Sequence, residues 1–219
     1  NQLTGKIPAE LGNHHNVFNL TLRFNKLSGS IPSELGNMAN LQGLDLNSNK
    51  LTGKIPSTLG DLSNLFRLAL DNNQLSGKIP SSLSTLPNLL FLYLQYNKLS
   101  GAIPSSLGNS SKLVELKLLN NKLSGTVPSS LALLNNLTSL RLDVNKFTFA
   151  GMQSIAKTFS FAIYAPQANI KLHLNGNSLS VNAGGTLSNN TYKWYKDGCL
   201  VATIKKNSKY QPTQNGNYS

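Results

Sequence analysis

One cysteine, Cys199, stands among 219 residues, so no disulfide can form within the chain and no cysteine-built metal site is possible. An extracellular address remains open, because a large repeat-built core can do without such bridges. Apolar runs fall short of the roughly 18 residues that mark a membrane-spanning helix, and no charged-then-apolar leader opens the chain. Acidic residues are scarce: 8 Asp and Glu face 20 Lys and Arg, for a formal net charge of +12. Residues 1–150 hold 13 basic and 7 acidic side chains, and residues 151–219 hold 7 and 1. This balance favours acidic partners by long-range steering, yet no run of five like charges occurs. No helix-turn-helix, zinc-finger or RNA-binding signature is present, which argues against nucleic acid. Nucleophile elbows, phosphate loops and zinc-binding histidine pairs are also missing. His14 and His15 are adjacent and His173 is isolated, so all three read as surface or packing residues. The expectation is a chain that is not an enzyme, with no cofactor and no metal.

What the chain has in abundance is repetition. Asn1, Asn25, Asn49, Asn73, Asn97, Asn121 and Asn145 are each 24 residues apart, and Leu44, Leu68, Leu92, Leu116 and Leu140 keep the same step. So do Leu46, Leu70, Leu94, Leu118 and Leu142. A strict period in this range predicts a solenoid, with one short supersecondary unit per repeat and stability arising from stacking. The chain opens in mid-repeat, since Asn1–Pro8 corresponds to Asn25–Pro32 without the strand that should precede it. A missing amino-terminal portion is therefore expected.

Each coil reads as a short strand, an asparagine turn, a Leu-Ser-Gly loop, an Ile-Pro step and a short helical return. Alternation within the strand sends Leu92 and Leu94 inward and Phe91 and Tyr93 outward. The column asparagine, both donor and acceptor, is suited to a hydrogen-bonded ladder between coils. Gly29, Gly53, Gly77, Gly101 and Gly125 mark a place where a side chain would crowd the next coil or forbid the backbone angle. Pro32, Pro56, Pro80, Pro104 and Pro128 hold the preceding residue extended and open a turn too short for a long helix, which points to 3-10 geometry.

The pattern LxxLxLxxNxLSGxIPxxLGxLxxL resembles the plant-type class of leucine-rich repeats found in plant receptor ectodomains, polygalacturonase-inhibiting proteins and bacterial surface proteins. The resemblance covers residues 1–149. It implies an α/β leucine-rich-repeat solenoid with a parallel sheet on its concave face and short 3-10 helices on its convex side. It also implies a partner docked on the exposed positions of that sheet, without specifying which partner.

Those positions vary from coil to coil while the scaffold columns do not. The outward columns begin with Asn19, Gly43, Arg67, Phe91, Glu115 and Ser139, then Thr21, Asp45, Ala69, Tyr93, Lys117 and Arg141. Asp71, Gln95, Leu119 and Asp143 belong to a third column, and Phe24, Tyr96 and Val144 to a fourth. Aromatic residues beside arginine are the types enriched in binding hot spots. The candidate ligand-binding set is Arg67, Phe91, Tyr93, Tyr96, Glu115, Lys117 and Arg141, facing a protein or an acidic glycan. The competing reading is that exposed strand positions favour Tyr and Phe in any case. The carboxylates Asp45, Asp71, Glu115 and Asp143 lie in different coils, with no cleft that would pair them for glycoside hydrolysis.

After Asn145 the period breaks, and residues 150–164 with Phe147, Phe149, Met152, Ile155 and Phe159 read as a carboxy-terminal cap. Residues 165–219 turn to strand patterns: NIKLHLNG, SLSV, then YKWYKDGCLVATI as two strands joined at Lys196-Asp197-Gly198. With Trp194 and Tyr218 in the expected places, this part resembles a truncated all-β immunoglobulin-like sandwich. The combination, without flanking cysteine pairs, resembles a bacterial surface or secreted protein. Five Asn-x-Ser/Thr triplets, Asn19 among them, are expected by chance in so polar a chain. The reading is a non-catalytic recognition or adhesion protein at the cell surface or outside it. Its alternatives are an inhibitor of a secreted polysaccharide-degrading enzyme and a structural repeat of a surface fibre.

Overall fold

The structure, a computed structural model, describes residues 1–148, 155, 157–163, 172–175, 178–181, 191–196, 199–205 and 209–210. Within the first of these ranges the chain winds into stacked coils. Asn19–Thr21, Gly43–Asp45, Arg67–Ala69, Phe91–Tyr93, Glu115–Lys117 and Ser139–Arg141 form one six-stranded parallel sheet in chain order. Each residue pairs with the one 24 further along, for example Leu68 with Leu92 and Leu92 with Leu116. The leucine columns are wholly buried, as are Ile31, Ile55, Ile79, Ile103 and Val127. They form a single core, which Phe147, Ile155 and Phe159 continue beyond the last full coil. Ile163 adds a bridge to Arg141 at the edge of the six-stranded sheet.

The asparagine ladder is built as the amide chemistry requires. Asn73 Nδ2 donates to the carbonyls of Leu46, Leu70 and Asp71 at 3.0, 3.1 and 3.2 Å, and its Oδ1 accepts from the Leu51 amide at 3.0 Å. Asn49, Asn97, Asn121 and Asn145 repeat the pattern along the stack. The residue before each ladder asparagine has a left-handed backbone: Phe24, Ser48, Asn72, Tyr96, Asn120 and Val144 all have φ of 52–55°. This geometry costs a non-glycine residue about 1–2 kcal/mol. It aims the side chain outward, leaving Phe24, Tyr96 and Val144 exposed.

The Leu-Ser-Gly segments are strands rather than the loops expected. Thr4–Lys6, Lys26–Ser30 and Lys50–Thr52 form one short parallel sheet. Ser76–Gly77, Lys98–Gly101, Lys122–Thr126 and Lys146–Thr148 continue the same arrangement, joined to the first group through the Lys54–Ser76 bridge. Their glycines have φ of 78–84°, so the backbone angle itself selects glycine. On the return side, six 3-10 helices follow the prolines, from Ala9–Asn13 to Ser129–Leu133.

A second glycine row carries the helix stacking. A Cβ on Gly36, Gly60 or Gly108 would lie 2.4–2.5 Å from the next coil's carbonyl oxygen. Ser84 stands in that row, and its Oγ donates to the Ser81 carbonyl at 2.6 Å. In other coils the equivalent carbonyl accepts from the following coil: Thr58 to Ser33, Ser82 to Ser57 and Ser130 to Ser105. Ser106, the counterpart in the next coil, has a buried Oγ without a hydrogen-bond partner. One serine in a glycine row has displaced its neighbour's bond.

Beyond residue 171, Leu172–Asn175 pairs antiparallel with Ser178–Val181, which pairs with Lys209–Tyr210. Thr191–Lys196 and Cys199–Lys205 form the expected hairpin, with a bulge between Trp194 and Tyr195. Asp197, Gly198 and the segment around Tyr218 lie outside the described residues, and the immunoglobulin-like sandwich rested on them.

Candidate binding surface

The six-stranded sheet brings five of the expected residues into direct contact. Strand pairing sets Phe91 between Arg67 and Glu115, and Tyr93 between Ala69 and Lys117. The Arg67 guanidinium lies over the Tyr93 ring at 4.8 Å from its centroid, and Lys117 Nζ lies at 4.7 Å from the same centroid. A phenol ring between two cations presents its electron-rich face to both. Tyr93 Oη donates to Glu115 Oε2 at 3.0 Å, and Lys117 Nζ reaches the same oxygen at 2.6 Å. Phe91 packs against Tyr93 with tilted rings, centroids 6.2 Å apart.

The electrostatics follow from this packing. The Lys117 ammonium, with the Tyr93 hydroxyl adding to it, holds the Glu115 carboxyl below its usual range. Burial, and then the bond to Glu115, pushes the Tyr93 phenol up, so it remains a hydrogen-bond donor. Arg67 also lies 3.8 Å from Asp45, which Arg23 approaches from the other side at 3.9 Å. Two of the seven expected residues stand apart from the cluster. Arg141 is engaged by Asp143 through two 2.9 Å bonds that raise its affinity for its proton. Tyr96 is exposed on its left-handed turn.

The outward columns are less open than alternation predicts. Gly43, Asp45, Ala69, Asp71, Leu119 and Asp143 are buried; Arg23 and Arg67 of the flanking coils reach Asp45, and Arg141 of its own coil grips Asp143. Burial raises the Asp71 carboxyl above its usual range, and Asn72 Nδ2, donating to it at 2.7 Å, opposes the shift. Asn47 Oδ1 and Gln95 Oε1, in the same column, are buried acceptors without a partner among the described residues. The carboxylates of this face are each engaged by an arginine, a lysine or an amide.

Residues 15–75 and 39–99 match the family model described as leucine rich repeat. The repeats are leucine-rich repeats. A comparison with curated proteins finds no match. Among solved structures, the plant peptide hormone receptor RGFR1 in complex with RGF2 is 40% identical over 67% of this chain, with a TM-score of 0.67. The leucine-rich-repeat ectodomain of the receptor kinase GASSHO1/SCHENGEN3 from Arabidopsis thaliana, in complex with CASPARIAN STRIP INTEGRITY FACTOR 2, is 41% identical over 72%, with a TM-score of 0.69. A plant ice-binding protein is 37% identical over 67%, with a TM-score of 0.61. This chain spans 24%, 19% and 49% of those three chains. These neighbours are plant proteins, and they lend no support to a bacterial source. The leucine-rich-repeat solenoid with parallel sheets and short 3-10 turns is thereby established.

Proposed function

We propose that this leucine-rich-repeat chain is a non-catalytic recognition module, extracellular, that binds an extended peptide or protein segment across its six-stranded sheet. The contact centres on Arg67, Tyr93, Glu115 and Lys117. The observation that carries this reading is Tyr93 held between two cations and bonded to a carboxylate. It is a rigid aromatic anchor ringed by donors and an acceptor, the composition of a binding hot spot. One neighbour with this architecture is a peptide hormone receptor solved in complex with RGF2, and another is a receptor kinase ectodomain solved in complex with CASPARIAN STRIP INTEGRITY FACTOR 2. The ice-binding neighbour shows that the scaffold alone does not choose the ligand. An acidic glycan on this face has less support, since Glu115 and Asp45 partly neutralise its cations.

A displayed library of random peptides, selected on the whole chain, tests the proposal. Enriched peptides should lose about thirtyfold in affinity on Tyr93→Ala, the effect of truncating a hot-spot aromatic, and bind Lys112→Ala unchanged. Peptides indifferent to Tyr93→Ala would place recognition elsewhere.

A further inference from the structure

The excess of positive charge is not spread evenly over the coils. Eight of the ten lysines in residues 1–148 lie in or directly beside the short sheets built by the Leu-Ser-Gly segments, and all eight are exposed. Five follow the ladder asparagine directly: Lys26, Lys50, Lys98, Lys122 and Lys146. Lys6, Lys54 and Lys78 come four residues later in their own coils. These segments contain no Asp or Glu, and among the described residues none of the eight lysines is in an ion pair. Lys26 and Lys98 meet only the neutral Gln2 and Gln74. The acids of residues 1–148 lie in the strands of the six-stranded sheet, just beyond them, or on the 3-10 returns.

Pairing gives this charge an order that the columns alone do not. Partners in the short sheets are 22 residues apart rather than 24, so a lysine column of one coil meets a hydroxyl column of the next. Lys6 pairs with Ser28, and Ser28 with Lys50. Lys54 likewise bridges to Ser76, which pairs with Lys98. Each row reads lysine, hydroxyl, lysine, and its ammonium-bearing residues stand about 9–10 Å apart, two strand spacings. The stems of Lys6, Lys54 and Lys78 lie 2.9, 3.0 and 3.2 Å from where a Cβ would sit on Gly29, Gly77 and Gly101 of the next coil. The glycines give these stems a bed along which they extend.

We propose that this lysine–hydroxyl face binds a linear acidic polysaccharide. A chain carrying one anion per sugar places alternate carboxylates on the ammonium groups of a row and its ring hydroxyls against the interleaved serines. A single small anion could not span a row. Single-stranded nucleic acid is bound largely by stacking on aromatic rings, and no aromatic residue projects from these strands. A duplex repeats its phosphates every 3.4 Å or so along a strand, whereas the coils step by about 4.8 Å. Peripheral membrane helices insert apolar side chains, and this face projects none from its paired strands.

The test is titration of the whole chain with a polygalacturonate oligomer at low salt and at about 1 M salt, where the screening length is about 3 Å. Lys50→Gln with Lys98→Gln is compared with Arg67→Gln and Lys117→Gln on the six-stranded sheet. Glutamine is tolerated in this column, directly after the ladder asparagine, because Gln74 already occupies it. The expected result is binding at low salt that is lost at high salt, weakened on the order of tenfold by the first pair and less than twofold by the second. Four results would overturn the proposal: no binding, binding indifferent to salt, equal weakening by both pairs, or equal or tighter binding of single-stranded DNA or phosphatidylserine vesicles. The peptide-binding reading stands or falls separately, on Tyr93→Ala.

Discussion

Replacing Asn97 by leucine isolates the work of the ladder, because the two side chains have nearly the same shape and differ in polarity. Asn97 Nδ2 donates to the carbonyls of Leu70, Leu94 and Gln95, and its Oδ1 accepts from the Leu75 amide at 2.9 Å. Each of the three carbonyls keeps another donor after the change. Leu70 still receives Asn73, Leu94 still receives Asn121, and the Gln95 carbonyl accepts from the Asn72 amide. The Leu75 amide alone is stranded in the core. A buried donor without a partner costs about 1–3 kcal/mol, and the lost carbonyl bonds add about 1–2 kcal/mol. The expected loss is therefore about 3 kcal/mol, or roughly 6–12 °C in Tm for a chain of this size. Urea unfolding followed by circular dichroism measures it, with Lys98→Ala, an exposed neighbour, as the control. Because coils contact only their neighbours, the transition should also broaden as the two halves uncouple. A loss below about 1 kcal/mol with an unchanged transition would refute the account, since it would mean that the Leu75 amide finds another partner at no cost.

Two further expectations concern polar atoms in other columns. Ser106→Ala should stabilise the chain by about 1 kcal/mol by removing an unpartnered buried hydroxyl, whereas Ser130→Ala, which loses a 2.7 Å bond, should destabilise it by a similar amount. Thermal melts giving the same sign for both would refute the displacement by Ser84. For Asp71, the folded carboxyl has a higher pKa than the unfolded one, so the native state holds its proton more tightly and loses stability as pH rises from the unfolded value through the raised one. Asp71→Asn should then be more stable than wild type at pH 7, with the gain vanishing near about pH 3, below the ordinary carboxylate range. Urea midpoints at the two pH values measure it, and an equal effect at both would show that the carboxyl's ionisation is not responsible.

The sequence alone specified the period, the buried leucine columns, the asparagine ladder and the 3-10 returns, because each depends on local chemistry repeated at a fixed step. It also placed Arg67, Phe91, Tyr93, Glu115 and Lys117 on one face, since alternation along a strand is a local rule. It did not reveal that Asp45, Asp71 and Asp143 would be buried there, because burial depends on how neighbouring side chains fold over the sheet, as Arg23 and Arg67, each 22 residues away, do at Asp45. Nor did it show that the Leu-Ser-Gly segments are strands, since serine and glycine have poor intrinsic strand preference and are held extended by pairing with their neighbours. The two-residue offset between the sheets was decided only when the coils stacked. Columns of lysine and serine are visible in the sequence, but which column meets which depends on the stagger between strands, and that is a property of the packed solenoid.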